Sequence, residues 1–267
     1  MSSTEGARTF QASGAAYDSF MGRYSRRLAP LFADFAGVTQ GQRVLDVGCG
    51  PGALTGELVA RLAPAAVVAI DPSEPFVAAC AARHPGVAVH RGTAEDTGLD
   101  DASVDAALAQ LVLHFVGQPE VAARELARVV RPGGTVAACV WDFEEGMAML
   151  RLFWDAALAV DPAAPDEART LRFGRPGEIA ELFTRSGMTG VEESTLVVVE
   201  TYAGIDDLWA GFGHGIGPAG AWLVAQPDEM RRQVREGLVA RLGAPEGPFS
   251  LEAVARCARA TVAQPPS

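Results

Sequence analysis

What constrains this chain most is a series of short strand runs without in–out alternation, separated by helical stretches. Arg43-Val-Leu-Asp-Val47, Val67–Ile70, Val87–His90, Val104–Gln110 and Gly134–Trp141 are the strand candidates. Between them Leu54, Leu58 and Leu62 mark one helical face and Phe76–Arg83 predicts a second helix. Ala122, Leu126, Val129 and Val130 mark a third, stopped by Pro132-Gly-Gly134. Strands apolar on both sides need cover on both faces, so the pattern predicts an α/β chain with a parallel sheet and helices above and below it.

The flanks read differently. From Ala15 to Phe35 apolar residues recur at helical spacing, and Gly22 and Pro30 predict a division into two helices. After Trp141 come an amphipathic helix around Leu150–Leu158, a Pro-rich loop at Asp161–Pro165, a helix over Pro176–Ser186 and a long strand over Val191–Tyr202. Further helices fill 204–243, and Phe249–Val262 fits a last strand, its alanines leaving helix as the alternative. With 267 residues there is room for one sizeable domain with additions. The expected division is 1–38 as helices over the site, 39–145 as the binding core, 146–175 and 203–245 as lid insertions, and 176–202 and 246–263 as the remaining helix and strands.

Composition narrows the chemistry. All 22 basic residues are arginine, and the chain has neither lysine nor asparagine. A phosphate-loop lysine, a Schiff-base lysine and the Tyr-x-x-x-Lys pair of many dehydrogenases are thereby excluded. The net charge of −11 opposes nucleic-acid backbones and anionic membranes. The apolar run Val104–Val116 is interrupted by Asp105, Gln110 and His114, and the N-terminus lacks a signal-peptide pattern, so a cytoplasmic protein is expected. Cys49, Cys80, Cys139 and Cys257 are far apart, and no His/Cys/Asp spacing indicates a metal.

The most informative segment is Asp46-Val-Gly48-Cys49-Gly50-Pro-Gly52, which closes the first strand and opens a helix. Bare backbone at a helix start lets a ligand approach the N–H groups. Taken alone as Gly48-x-Gly50-x-x-Ala53, it also satisfies the dinucleotide fingerprint. Asp71, 23 positions after Gly48 at the end of the next strand, can accept both hydroxyls of a ribose, which suits NAD or another adenosine ligand. Asp46 can meet an ammonium or orient the turn. A pyrophosphate would gain nothing from it.

The series VLDVGCGPGALT, VVAIDPSEPF, GTAEDTGL, VDAALAQLVLHFV and RVVRPGGTVAACVW, over about residues 40–142, resembles class I S-adenosylmethionine-dependent methyltransferases. The branch it is most similar to is the small-molecule group with ubiquinone/menaquinone C-methyltransferase-like enzymes. The resemblance implies a Rossmann-like, seven-stranded, mostly parallel sheet and S-adenosyl-L-methionine as cofactor. It implies that Gly48, Cys49 and Gly50 face the methionine part with Asp46 beside its ammonium. Asp71 would hold the ribose, Pro72 would pack on adenine, and Ala94 would offer it an N–H. Thr93 stands where the family often has aspartate, so Glu95 or Asp96 is expected to serve the adenine amino group. Gln110 would lie beside the methionine portion, and Arg23 and Tyr17 belong to an N-terminal covering segment, Arg23 as a partner for the cofactor carboxylate.

Methyl transfer from a sulfonium is an in-line displacement on activated carbon, and positioning alone can supply ~7–11 kcal/mol. Tyr17, Phe20 and Tyr24 are candidate aromatic faces for the cation. His114, at the carboxyl end of the fourth strand, is the candidate base for an oxygen or nitrogen nucleophile. His214 is a loop candidate, and His84 and His90 read as a helix end and a strand end. Trp141 and Phe143 are expected to face a small-molecule acceptor, with most of the four tryptophans serving the core. A nicotinamide-dependent oxidoreductase and a non-catalytic cofactor-binding module are the rivals.

Overall fold

The computed structural model describes residues 20–264. The first helix, α1 (Met21–Phe35), is followed by β1 (Val44–Val47), α2 (Ala53–Arg61), β2 (Val67–Asp71), α3 (Glu74–Arg83), β3 (Ala88–Arg91) and β4 (Val104–Gln110). Then come α4 (Pro119–Val129), β5 (Val130–Trp141), α5 (Ala148–Val160), the single turn α6 (Glu167–Thr170), α7 (Glu178–Arg185) and β6 (Thr189–Tyr202). Helices α8 (Ile205–Gly213), α9 (Gly217–Val224) and α10 (Asp228–Leu242) precede the last strand, β7 (Phe249–Thr261).

The seven strands form one sheet in the order β3-β2-β1-β4-β5-β7-β6. β1 pairs in parallel with both β2 and β4, β2 with β3, and β4 with β5; β7 lies antiparallel between β5 and β6. The expected Rossmann-like, mostly parallel α/β sheet is therefore present. Val44–Val47, Val67–Asp71 and all of β4 except Asp105 are buried, as strands covered on both faces must be. Chain order reverses between β1 and β4, and a crevice opens there beyond the carboxyl ends of the strands.

Two local expectations are corrected. Gly22 and Pro30 do not split the first helical stretch, because α1 runs through both. Its Tyr24, Leu28 and Phe32 are fully buried, and that continuous packed stripe offsets the helix bond that Pro30 cannot make. At the far end of the sheet, Pro132-Gly-Gly134 is taken into β5 instead of preceding it. The register shifts there, where Gly133 adopts φ +78° and Gly134 lies so close to the Asp105 carbonyl that a side chain has no room.

The helices after β5 build on the same core. Trp154 and Phe153 of α5 are buried, Phe153 stacks on Phe212 of α8 with centroids 4.4 Å apart, and Trp222 of α9 meets Phe153 edge-on. Val234 and Leu238 bury the inner face of α10, whose Gly237 backs onto Ala156 of α5. The long strand expected near Val191–Tyr202 is present, and the last segment is a strand whose register with both neighbours runs through Cys257.

Candidate functional site

The turn after β1 is held by partners on β2 and at the end of α3. Cys49 donates its N–H to the Ile70 carbonyl at 2.9 Å and keeps its thiol buried. The N–H of Gly50 donates to Asp71 Oδ2 at 2.9 Å, while Ser73 N–H donates to Oδ1 at 2.8 Å. One carboxylate thus ties the end of β2 to the turn, and each oxygen keeps a further lone pair. Gly48, Gly50 and Gly52 have φ of +66°, +53° and +98°, the left-handed region that favours glycine. A Cβ on Gly48 would meet Val112 Cγ2 at 2.6 Å, whereas one on Gly50 would meet nothing within 4 Å. That open space is where a ligand can rest against main chain.

Below the turn lie groups that sequence reading missed or placed elsewhere. His84, read as a helix end, sets Nε2 3.0 Å from the Gly52 carbonyl, and Arg83 donates to the Pro51 carbonyl at 3.1 Å. The end of α3 therefore fixes the shape of the turn. Asp46 is only 1% exposed and accepts the Thr55 hydroxyl at 2.6 Å. Burial pushes its carboxyl up to about 7, with Thr55 opposing and Asp71 adding to the rise. Burial raises Asp71 as well, against its two backbone bonds. A cation arriving between these two carboxylates would relieve both.

A large cavity, about 1280 Å³ including its mouth, opens over this floor. One end holds Gly48, Gly50, Asp71, Pro72, Thr93, Ala94, Glu95 and Gln110, the residues expected to bind cofactor. Asp46 and Cys49 line a smaller adjoining recess with Ser25, Gly48, Gly50 and Gln110. Thr93 and Asp96 close a turn through each other, and Glu95 accepts the N–H of Gln118. The other end is apolar, with Phe20, Met21, Phe115, Val116, Trp141, Phe143, Leu150 and Ile216.

Three buried polar atoms on this lining have no hydrogen-bond partner among the described residues: Gln110 Oε1, His114 Nδ1 and Trp141 Nε1. The Gln110 amide is oriented by its Nε2, which donates to the Ser25 carbonyl at 3.1 Å. His114 lies tilted against Phe115 with centroids 3.9 Å apart and meets Phe143 edge-on at 5.3 Å. Burial alone drives its pKa down to about 3, so the imidazole is neutral at ordinary pH. Leaving such atoms unpaired costs roughly 1–3 kcal/mol each, a cost that a ligand can remove.

Four expectations do not hold or cannot be placed. Arg23 does not line the cavity. It donates to Glu200, to Asp207 and to the Thr201 carbonyl, and its guanidinium sits 4.5 Å from the centre of the Tyr202 ring. Two carboxylates from β6 and α8 already meet its charge, so it locks α1 to the far edge of the sheet. Tyr24 is also committed, accepting the Tyr202 hydroxyl at 3.0 Å and leaving Phe20, just ahead of α1, on the cavity. Tyr17 lies outside the described residues. His214 caps the end of α8 as an exposed residue and His90 is exposed on β3; neither lines the cavity. Among the described residues no cluster of His, Cys, Asp and Glu could hold a metal, and no helix is long and apolar enough to cross a membrane.

One acidic residue on the cavity gave no signal in the sequence. Glu167, the first residue of α6, is 5% exposed, and Trp154 Nε1–H donates to its Oε2 at 2.7 Å. Its neighbour Asp166 accepts the Ala168 N–H and pairs with Arg151 at 2.9 Å, which fixes the turn carrying Glu167. Burial pushes the Glu167 carboxyl up to about 7.

These groups set an expected pH dependence of stability. Asp46 and Glu167 keep their protons in the folded chain up to about pH 7, whereas the unfolded chain has lost them near its ordinary carboxylate values of 3.8 and 4.5. Stability present at the low end of that window is lost as pH rises through it. His114 acts oppositely, since between about 3 and 6.5 only the unfolded imidazole takes a proton. Two carboxyls outweigh one imidazole, so melting temperature should fall between about pH 5 and 8. Glu167→Gln keeps an oxygen for Trp154 but cannot ionise. It should remove up to a few kcal/mol of that fall, several degrees in a melting curve. An unchanged slope would show that Glu167 does not titrate in this window.

Residues 45–138 match the family described as Methyltransferase domain. An uncharacterized methyltransferase of Mycobacterium bovis is 40% identical over 129 residues, 47% of this chain and 51% of the relative. A fatty-acid O-methyltransferase of Mycolicibacterium smegmatis is 33% identical over 159 residues, covering 57% and 55% of the two chains. The chain thus spans about half the length of these curated relatives. In fold it is similar to a phosphoethanolamine N-methyltransferase of Haemonchus contortus solved with S-adenosylhomocysteine, at a TM-score of 0.60 and 16% identity over 99% of this chain and 61% of the other. These matches bear out the resemblance carried by the motifs.

Proposed function

We propose, from the premise that residues 45–138 form a methyltransferase domain on the class I fold, that this chain moves a methyl group from S-adenosyl-L-methionine to a small-molecule acceptor. The observation that carries the reading is one cavity with the bare glycine turn and Asp71 at one end, and the unpartnered Gln110, His114 and Trp141 atoms along its length. The residues present fit the cofactor. Gly48 and Gly50 leave main chain open to it, and Asp71 has lone pairs for ribose hydroxyls. Gln110 Oε1 lacks a donor that an ammonium can supply, and Asp46 lines the adjoining recess with Gln110. Pro72, Thr93, Ala94 and Glu95 would enclose the adenine. When bound, the cofactor supplies a methyl carbon already activated by its sulfonium.

The chain's own residues then have three tasks. The apolar end of the cavity excludes water, with segments 146–175 and 203–245 acting as its lid through Leu150 and Ile216. The aromatic walls orient an acceptor. His114, held neutral, always has a ring nitrogen lone pair. The burial that keeps it neutral also makes it a weak base, so its part is to accept a hydrogen bond that orients the acceptor, and full proton removal there is costly.

Thermal shift separates this reading from a nicotinamide enzyme. S-adenosylhomocysteine at 100 times its dissociation constant should add about 2.7 kcal/mol of stability, and NADH should add none. Stabilisation by NADH alone would turn the assignment to a dehydrogenase. Binding of S-adenosylmethionine without methyl loss, across a panel of small acceptors, would favour a non-catalytic module.

A further inference from the structure

The lining of the large cavity is one-sided in charge. Asp71, Glu95 and Glu167 face it, Asp46 faces the adjoining recess, and among the described residues no arginine faces either. The chain has no lysine, and His114, the histidine on the lining, is neutral. Asp71 and Glu95 accept main-chain N–H groups and stand at the cofactor end, whereas Glu167 stands in the apolar wall. Its turn is anchored beside Phe143, because Arg151 Nη1 donates both to Asp166 Oδ1 at 2.9 Å and to the Phe143 carbonyl at 3.3 Å. Trp154 occupies Oε2 of Glu167, and Oε1 has no hydrogen-bond partner among the described residues. Nor is Oε1 one of the fully enclosed polar atoms, so it opens on the cavity that Glu167 lines. A buried carboxyl with a single neutral donor is costly, and a bound cation relieves that cost.

What each class of molecule offers this oxygen decides between them. An anion finds no cation on the lining and meets Glu167 with like charge. A hydroxyl can donate to Oε1 but leaves a buried negative charge uncompensated. An alkylammonium supplies both the opposite charge and the N–H donors, and such charge-assisted bonds are roughly twice as strong as neutral ones. Phe143 and Leu150 on the same wall ask for an apolar body behind that group. Resting on the methyl-transfer reading above, we propose that the acceptor is a largely apolar amine whose ammonium donates to Glu167 Oε1. The contact is with Glu167 alone and needs no second polar group of the protein. Of the charges around it, Arg151 and Asp166 answer each other, Asp155 shares Arg151, and α9 carries no titratable side chain. Binding of the amine therefore follows the ionisation of Glu167.

Three probes of one shape test this: naphthylethylamine, naphthylethanol and naphthaleneacetate, substituted at the same ring position. Calorimetry on the full chain is run with S-adenosylhomocysteine saturating, which keeps the amine away from Asp46 and Asp71. At pH 8 the amine should bind at least about tenfold more tightly than the alcohol, and the carboxylate should bind most weakly. Without a ligand Glu167 is about one-tenth ionised at pH 6 and about nine-tenths at pH 8. Amine affinity should therefore rise about tenfold over that interval, with proton release at the lower pH, while alcohol affinity changes by less than about threefold. Glu167→Gln, which retains an oxygen for Trp154, should bring the amine to within about threefold of the alcohol and flatten its pH response. Amine binding no tighter than that of the alcohol, a flat response in the wild type, failure of all three to bind, or a preference that survives Glu167→Gln would overturn the inference. Should that variant fail to fold, the wild-type order and pH response decide alone. A chain that binds S-adenosylhomocysteine but shows no preference for the amine refutes only the acceptor class. One that binds no S-adenosylhomocysteine refutes the underlying reading, and the probes titrated without it then decide on the amine site by itself.

Discussion

Asp71→Ala should abolish measurable S-adenosylhomocysteine binding, a loss of more than about 100-fold in calorimetry. The carboxylate does two things at once. It has lone pairs for the two ribose hydroxyls, and hydrogen bonds to a charged group contribute roughly 1.5–3 kcal/mol each. It also accepts the N–H groups of Gly50 and Ser73, so it sets the conformation of the turn before any ligand arrives. Alanine removes both contributions and leaves two main-chain donors without their acceptor. Asp71→Asn separates them, because its amide oxygen can still accept from one backbone N–H while it loses the charge and one acceptor. It should retain the fold and bind the nucleoside about tenfold or more weakly. Circular dichroism and melting curves on both variants distinguish a lost site from a lost fold. Normal binding by Asp71→Ala would place the nucleoside somewhere other than the β1–β2 crevice.

The contrast between Asp71 and Glu167 shows what was legible in the sequence. Asp71 could be read because its role depends on local spacing: a glycine turn, one helix, one strand and then the acid, all inside a βαβ unit whose geometry is nearly fixed. The five parallel strands were legible for the same reason, since unbroken apolar runs between helices leave few other packings. Gln110 and His114 could be found by their place at the end of β4 and just beyond it. Glu167 could not. It follows the Pro-rich loop Asp161–Pro165, and nothing in the spacing says that Trp154 will meet its side chain or that it will face a cavity.

Arg23 failed in the opposite direction. Its charge and its place in the covering helix suit a ligand carboxylate, but Glu200 and Asp207 come from β6 and α8, distant in the chain. Only tertiary packing reveals that its charge is already met. Thr55 and His84 were hidden likewise, the first bonding Asp46 of β1 and the second the Gly52 carbonyl of the turn. The sequence therefore exposes what a single supersecondary unit determines, and conceals side chains whose partners are chosen by how units pack.

His114→Phe should lower turnover by about 100-fold or more while changing S-adenosylhomocysteine affinity by less than about threefold. Phenylalanine keeps the ring contacts with Phe115 and Phe143 and fills the same space, so the cavity wall survives. What it removes is a nitrogen lone pair at the acceptor end, while the glycine turn and Asp71 at the other end stay untouched. The pH profile adds a signature that a packing role would lack. An exposed histidine acting as base gives a rate limb near pH 6.5, whereas burial takes His114 down to about 3. Wild-type turnover should therefore show no limb at 6.5. A limb near 7 that disappears in Glu167→Gln would belong to Glu167, whose folded pKa lies there. Full activity in His114→Phe would remove the imidazole from the chemistry and leave alignment and Glu167 to carry it. A limb at 6.5 would mean that bound acceptor or solvent reaches His114 and restores its ordinary basicity.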